Sequence, residues 1–288
     1  MSLWIDFLGA EIRFVDTPTF GRVRLAEAGR GNPATLIFLH GIGGHLEAYA
    51  KNIVALSDAY HVVAFDFVGH GLSSKHLPEF SPQILAEQLR ELLDVLGVES
   101  AHLSGESLGG WVAGEFATRY PDRVRRLMFN TSAGIPIVSA KGQEDLKTLI
   151  ALSAKNAHAA PTYESVLERM QWLMHEKNWP LLSEDLVGTR LALYRLPERA
   201  QALPAIGRFM GSPAAQRLID LEKIECQTLF LWTRDNPIHD VEAAQAACAR
   251  VRHGLLYVME ADSAHWPQYE APDEFNAVAR RFFATGAV

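Results

Sequence analysis

Apolar residues cluster in short, nearly continuous runs along the first and last parts of the chain, and segments with helical spacing separate these runs. Such runs are typical of parallel strands that are buried on both faces of a sheet. They occupy residues 35–39, 61–65, 101–103, 124–129, 228–232 and 255–259. The alternation of strands with helices predicts an α/β fold, in which helices cover both faces of a mostly parallel sheet.

The N-terminal segment has a different pattern. Residues 4–15 and 22–27 alternate apolar and polar positions, which is typical of half-exposed antiparallel strands. Helices are predicted over residues 46–56, 82–96, 163–177, 184–195, 241–251 and 272–283, and another begins near Trp111. The helix over 82–96 is the clearest, because Leu85, Leu89 and Leu92 share one face between a Ser-Pro start and Gly97.

Between residues 132 and 218 the strand-like runs stop, and helical segments alternate with prolines. Strand–helix alternation resumes after this stretch, so we interpret it as an insertion into one domain rather than as a second domain. The predicted organisation is an α/β core of residues 1–131 and 219–288 that carries a helical cap, or lid, of residues 132–218.

Composition and charge narrow the class of protein. The 288 residues can form one large domain with an insertion, and the formal charge of −7 argues against a nucleic-acid partner or an anionic membrane surface. Cys226 and Cys248 are too few for a disulfide framework. The first 14 residues do not read as a signal peptide, and no apolar run reaches the length of a membrane span. We therefore expect a cytoplasmic protein.

The sequence Gly105-Glu106-Ser107-Leu108-Gly109 lies between a predicted strand and a predicted helix. A G-x-S-x-G pentapeptide in this context forms a nucleophile elbow, a turn so tight that its glycine positions leave no room for a side chain. The turn holds the serine hydroxyl at the carboxyl end of the strand, in front of the first N–H groups of the helix. The pattern predicts Ser107 as a nucleophile.

A serine hydroxyl needs an adjacent base, usually a histidine that a carboxylate orients. In this kind of site the acid and then the histidine follow the serine along the chain. Asp235 and Asn236 follow the strand over 228–232, and His265 follows the last strand, so both segments reach the sheet edge near Ser107. His265 is the predicted base. His40 and His70, which lie in glycine-containing turns at the same edge, are second choices.

Two backbone N–H groups near the nucleophile would stabilise a developing oxyanion. Leu108, directly after Ser107, supplies one of them. The second comes from Ile42, or alternatively from Gly43, in the glycine-rich loop that follows the strand over 35–39.

These features resemble the α/β-hydrolases along the whole chain, and they are most similar to the meta-cleavage product hydrolases. Members of that family split a carbon–carbon bond of 2-hydroxy-6-oxohexa-2,4-dienoates. Three motifs carry the resemblance, namely His40-Gly41-Ile42-Gly43-Gly44, Gly105-Glu106-Ser107-Leu108-Gly109-Gly110 and His265-Trp266-Pro267-Gln268-Tyr269-Glu270. The family typically shows HG-x-G-x-G, G-N-S-M/F-G-G and G-H-W-x-Q-x-E at these places.

The resemblance implies roles for six residues: the nucleophile Ser107, the base His265, the oxyanion donors Ile42 and Leu108, a pocket-facing asparagine at Asn52 and a pocket-lining tryptophan at Trp266. It also implies a cap arginine that holds the acidic end of the dienoate. Arg190 is the best match to that arginine, and Arg195 is the runner-up. A guanidinium at the pocket suits a planar carboxylate, which it can bind through two parallel hydrogen bonds.

Three positions depart from the family pattern. The family's acid is the fifth residue of W-G-x-x-D, where this sequence has Asn236, and Asp235 lies one residue earlier. We expect Asp235 to orient His265, since an anion stabilises a developing imidazolium, with Asn236 as the alternative. Glu106 replaces an asparagine beside the nucleophile, where it either contacts the substrate or points sideways as a surface residue. Ala264 replaces a glycine, which we regard as minor.

The sequence thus predicts a serine-dependent hydrolase that acts on a small molecule, most specifically on a carbon–carbon bond of a dienoate. A carboxylesterase or lactonase is the alternative enzyme, and a non-catalytic binding protein on the same scaffold is a third hypothesis. No metal or cofactor is expected, because the sequence lacks ligand spacing and nucleotide-binding motifs. Family resemblance also suggests a homo-oligomer such as a dimer.

Overall fold

The computed structural model describes residues 2–156 and 160–288, and the three residues between these ranges belong to the predicted cap. Eight strands form one sheet: β1 (Glu11–Thr17), β2 (Gly21–Ala28), β3 (Thr35–Leu39), β4 (His61–Phe65), β5 (Ala101–Glu106), β6 (Val124–Asn130), β7 (Gln227–Trp232) and β8 (Gly254–Val258). Their order across the sheet is β1-β2-β4-β3-β5-β6-β7-β8. The pairs β1–β2 and β2–β4 are antiparallel and all other pairs are parallel. The predicted α/β class and mostly parallel sheet are confirmed.

The described residues contain eleven α-helices: α1 (Leu3–Asp6), α2 (Ala50–Ile53), α3 (Pro82–Val95), α4 (Leu108–Arg119), α5 (Ala140–Asn156), α6 (Tyr163–Leu173), α7 (Glu184–Tyr194), α8 (Leu203–Met210), α9 (Val241–Cys248), α10 (Pro267–Glu270) and α11 (Pro272–Thr285). Helices α5 to α8 lie between β6 and β7, and the described part of that segment contains no strand. None of the helices described is long and apolar enough to cross a membrane.

Two segments near the start of the chain differ from the sequence prediction. Residues 4–10 are not part of a strand, because a helical turn places Leu3 and Phe7, four residues apart, on one buried side while Trp4 is exposed. The predicted helix over 46–56 is a 3₁₀ turn (Leu46–Tyr49) followed by the short α2. In the first segment one helical turn is too short to show its period, and in the second the 3₁₀ and α-helical periods are similar.

Successive residues of the central strands point into two separate hydrophobic layers. In β3, Ile37 and Leu39 belong to the layer beneath α3 and α4, whereas Leu36 and Phe38 belong to the layer beneath α2 and α11. This two-sided burial explains why the strands read as continuous apolar runs. Burial of each leucine or phenylalanine side chain stabilises the fold by about 1.5–3 kcal/mol. The two layers therefore hold the sheet in place, together with the edge at which the loops meet.

A buried ion cluster ties the antiparallel part of the sheet to the loop after β3. Arg24 on β2 donates through Nε to Asp66, at 2.7 Å, and through Nη2 to Glu47, also at 2.7 Å. Asp66 follows β4 and also accepts from the backbone N–H groups of Leu46 and Leu72, each at 2.8 Å. Burial alone lowers the pKa of Arg24, but the two carboxylates outweigh it and raise that pKa above its usual value.

Loss of the Asp66 charge is expected to destabilise the fold strongly. Asp66→Asn leaves Arg24 with one carboxylate partner in a buried site, which costs about 3–5 kcal/mol of unfolding free energy. Urea denaturation measures this loss. The control is Asp16→Asn on the exposed side of β1, where we expect a change within about 0.5 kcal/mol. Equal stability of the two variants would contradict a structural role for the cluster.

Candidate active site

Ser107 occupies a strained turn between β5 and α4. Its backbone has φ 53° and ψ −118°, a left-handed conformation that residues with a side chain rarely adopt. A Cβ atom on Gly109 would lie 2.0 Å from the carbonyl oxygen of Leu39, and one on Gly105 would lie 2.2 Å from the carbonyl of Gly109. Only glycine at these two positions allows α4 to approach the end of β3, and this approach holds Ser107 at the tip of the turn.

A cavity of about 520 Å³ lies over Ser107, between the loops of the sheet edge and the helices that follow β6. Its lining includes seven of the nine site residues predicted from the sequence: Ile42, Glu106, Ser107, Leu108, Arg190, His265 and Trp266. Asp235 and Asn52 are not among the described lining residues. The fold therefore brings most of the predicted site together in one place.

Asn236, not Asp235, contacts the ring of His265. Nδ1 of His265 lies 2.7 Å from Oδ1 of Asn236. The amide nitrogen of Asn236 donates to the backbone carbonyl of His239, which turns Oδ1 of Asn236 towards the ring. Because Oδ1 can only accept, Nδ1 carries a proton, and Nε2 is the nitrogen left for proton exchange.

The prediction that Asp235 orients His265 is therefore wrong. The Asp235 side chain is 56% exposed, and its Oδ2 lies 3.6 Å from Nε2 of His175. The turn after β7 causes this, since the carbonyl of His239 accepts from both Trp232 Nε1 and the Asn236 amide. These contacts turn residue 236 inward and leave residue 235 on the outside of the turn.

The second-choice histidines have structural contacts instead. His40 donates from Nδ1 to the carbonyl of Gly41, and its Nε2 accepts from the N–H of Phe67. Burial lowers the pKa of both His40 and His70 to about 3, so both rings are neutral at physiological pH. They shape the loops around the site without serving as its base.

Glu106 lies in the cavity wall against the base, rather than on the surface. Its Oε2 accepts from the N–H of Gly41 at 2.7 Å, and its Oε1 lies 3.1 Å from Nε2 of His265. Among the described contacts no hydrogen bond joins Ser107 Oγ to that nitrogen. The sequence singled out Glu106 as a departure from the family pattern, but nothing in the sequence indicated that it would meet His265.

The predicted oxyanion donors lie at the same edge of the sheet as Ser107. Leu108 is the first residue of α4, and Ile42 lies in the loop after β3, so both N–H groups lie at the edge where Ser107 is held. Within the described residues neither N–H group takes part in a backbone hydrogen bond. Tyr194 of α7 donates to the carbonyl of Gly43, at 2.8 Å, and braces the loop from the cap side. Two free donors beside a serine can stabilise a tetrahedral oxyanion.

Arg190 supplies a buried positive charge to the cavity. Its guanidinium carbon lies 4.6 Å from the ring centre of Trp266, and its Nε is buried without a hydrogen-bond partner. No carboxylate of the described residues forms an ion pair with Arg190. Arg169 of α6 also lines the cavity, although no sequence motif indicated it. The cavity is thus suited to an anionic group of a ligand.

Asn52 lies away from the cavity, although the resemblance placed it in the pocket. Its amide nitrogen donates to the carbonyl of Gln268 at 3.0 Å and to Oδ1 of Asn276 at 2.9 Å. These bonds join α2 to α10 and α11. Asn52 therefore supports the segment that carries His265 from behind.

Glu270 joins the His265 segment to the turn after α6, a contact that the sequence did not indicate. Its Oε1 accepts from the N–H groups of Ala264 and Trp266, each at 3.0 Å, on either side of His265. Its Oε2 accepts from the N–H of His175 at 2.8 Å and from the amide of Asn178 at 3.0 Å. Burial raises the pKa of Glu270. The only sequence signal was its place at the end of the HWPQYE motif.

The arrangement suits acyl or carbonyl chemistry at a serine. The predicted nucleophile, base and oxyanion donors line one largely apolar cavity that also holds cationic side chains. Among the residues described, no group of three or more His, Cys, Asp or Glu side chains could hold a metal ion.

Comparison with known proteins gives matches along most of the chain. The profile of the alpha/beta hydrolase fold family matches residues 34–272. A 2-hydroxy-6-oxo-6-phenylhexa-2,4-dienoate hydrolase from Comamonas testosteroni is 30% identical over 270 residues, which cover 89% of each chain.

Two further matches broaden the comparison. The dihydrolipoyllysine-residue acetyltransferase component of the acetoin cleaving system from Cupriavidus necator is 29% identical over 276 residues, which make up 90% of this chain. The chain spans only 66% of that relative's length. Among solved structures, a membrane phospholipase A superposes with a TM-score of 0.83 at 23% identity, over 98% of this chain and 88% of that one. The structural likeness shows the fold alone.

The contact between Asn236 and His265 predicts a large effect of one substitution. Asn236→Ala removes the group that fixes the imidazole tautomer, and we expect the rate at which a fluorophosphonate labels Ser107 to fall by about 10²-fold or more. Asp235→Ala is the control, and its labelling rate should stay close to that of the parent. A larger loss in the Asp235 variant would show that the turn adopts a different register in solution.

Proposed function

Because the chain belongs to the alpha/beta hydrolase fold family, we propose that it is a serine-dependent hydrolase that cleaves a carbon–carbon bond of a 2-hydroxy-6-oxo-2,4-dienoate. The relative from Comamonas testosteroni, named as a hydrolase of such a dienoate, supports this substrate class. The substrate is then a small molecule. A cytoplasmic location and assembly into a dimer stay predictions.

The buried guanidinium of Arg190 is the observation that carries the proposal. It shares the cavity with Ser107 and His265 and has no ion-pair partner among the described side chains. Stacking against Trp266 limits how the guanidinium can turn. A substrate carboxylate would satisfy this charge through paired hydrogen bonds and would place the rest of the dienoate along the apolar wall.

The reaction follows from the positions of the remaining groups. Ketonisation of the bound dienol turns the 2-hydroxyl into a carbonyl group, which can take up the electron pair of the bond to the 6-oxo carbon when that bond breaks. Nε2 of His265 removes a proton from Ser107 or from a water molecule, and the resulting oxygen nucleophile attacks the 6-oxo carbon. The N–H groups of Ile42 and Leu108 stabilise the oxyanion, and the bond to the departing carbon then breaks as that carbon takes a proton.

Ester or lactone hydrolysis is the second candidate, and Glu106 favours it. A carboxylate in the cavity wall repels an anionic substrate, whereas a neutral ester is indifferent to it. Arg190 acts in the opposite direction, and it favours the dienoate. The two substrate classes therefore differ in how strongly they depend on this arginine.

We expect Arg190→Gln to raise the KM for a coloured ring-fission dienoate by about 10- to 150-fold, since a hydrogen bond to a charged group is worth about 1.5–3 kcal/mol. The KM for a short p-nitrophenyl ester should change little. Absorbance loss of the dienoate measures turnover. The matched control is Arg195→Gln, because Arg195 is exposed and donates to the carbonyl of Pro161.

A Ser107→Ala variant sets the background rate. If no dienoate in a panel disappears faster with the parent protein than with this variant, the dienoate proposal fails. If the esters are turned over far better than any dienoate, the second candidate replaces it.

A further inference from the structure

We propose that Glu106 supplies the negative charge that the acid of a catalytic triad normally supplies, and that it does so from the opposite side of the His265 ring. The inference rests on the proposed roles of Ser107 and His265. Two residues then share the task of one acid. Asn236 fixes the tautomer at Nδ1, and Glu106 balances the charge at Nε2.

Asn236 can perform only half of a triad acid's task. Its Oδ1 accepts from Nδ1 of His265 at 2.7 Å and so orients the ring. A neutral amide carries no charge to offset the imidazolium that forms when His265 takes a proton. The site is buried, and an unbalanced charge in such a place is costly. A second group must therefore supply the anion.

Glu106 has the position that this task requires. Its Oε1 lies 3.1 Å from Nε2 of His265, and its side chain is buried at the end of β5, next to Ser107 in sequence. The N–H of Gly41 holds the other oxygen at 2.7 Å. That bond fixes the Glu106 carboxylate between the loop after β3 and His265. The carboxylate is therefore already in position when the ring takes a proton.

The other charged or titratable groups around His265 do not offer a substitute. His239, in the turn after β7, is neutral, because burial and then the nearby His265 lower its pKa to about 4. Arg190 of α7 is cationic and lies over the neighbouring Trp266. Glu270 of α10 uses both oxygens on the N–H groups and the amide that it clamps. Asp235 faces outward.

The charges balance in the proposed step. The O–H bond of Ser107 breaks and an N–H bond forms at Nε2, while the electron pair stays on Oγ and forms the bond to the substrate carbonyl carbon. The carbonyl π electrons move onto the oxygen between Ile42 and Leu108. His265 gains a positive charge beside the fixed negative charge of Glu106. The proton later passes from Nε2 to the departing carbon, and the ring becomes neutral again.

The test separates the Glu106 charge from its shape. Glu106→Gln keeps an oxygen for the Gly41 N–H but removes the charge. We expect fluorophosphonate labelling of Ser107 to slow by about 10²-fold. In an NMR titration, the midpoint of His265 should fall, because loss of a nearby anion disfavours the protonated ring. Glu115→Gln on α4 is the matched control and should change neither quantity.

A double variant gives the decisive result. Asn236→Asp restores a carboxylate at Nδ1, so in the Glu106→Gln background it should recover most of the labelling rate and raise the His265 midpoint again. Should Glu106→Gln fail to fold, Glu106→Asp withdraws the charge by one methylene and should shift both readouts in the same direction by less.

An unchanged His265 midpoint in Glu106→Gln would overturn the proposal, as would a double variant no faster than Glu106→Gln alone. A rise only in the KM for the dienoate would make Glu106 a substrate contact instead. Labelling and titration need no dienoate, so their outcome is independent of whether the proposed substrate is correct.

Discussion

Helix α4 packs so closely against the end of β3 that its second residue has no room for a side chain, since the carbonyl oxygen of Leu39 occupies that space. The rest of the site depends on this contact. It forces Ser107 into a left-handed conformation, brings the first N–H of α4 beside the loop after β3, and aligns Glu106 with the base. The two hydrophobic layers around the sheet hold the strained turn in place.

Charge is distributed unevenly around this turn. Beneath the loop after β3, Arg24 is matched by Asp66 and Glu47, and the buried rings of His40 and His70 are neutral. Within the cavity, by contrast, Arg190 has no carboxylate partner among the described residues. Buried charges in the surroundings are paired, whereas the charge of Arg190 is not paired with any side chain described, and such an unpaired charge gives a binding site a preference for an ion of opposite sign.

The fold could be predicted from the sequence because its main signals are local. Buried strands appear in the sequence as apolar runs, and the helix over 82–96 has both an N-cap serine and a stripe of leucines. Errors fell on short segments such as α1, where burial of Leu3 and Phe7 decided the structure. Ser107 and His265 were equally readable, since glycine spacing and position after a strand define them.

The details of the site depend on contacts that a linear pattern does not contain. Asp235 and Asn236 differ by one position in the chain, and only one of them can face His265. The carbonyl of His239, which lies outside the motif, accepts from the Asn236 amide and so turns that residue inward. Asn52 matched a family position and yet bonds to Asn276, more than 200 residues away in the chain. Glu106 was visible as an unusual residue, but only the fold shows which nitrogen it meets.

The carboxylate of Glu270 joins the turn after α6 to the loop that carries His265. One of its oxygens holds the backbone on both sides of His265, and the other holds the start of the turn after α6. The N–H of His265 also donates to the carbonyl of Leu173, the last residue of α6. The end of α6 and the backbone on both sides of His265 are therefore held by one connected set of hydrogen bonds, so the position of the imidazole depends on the position of that helix.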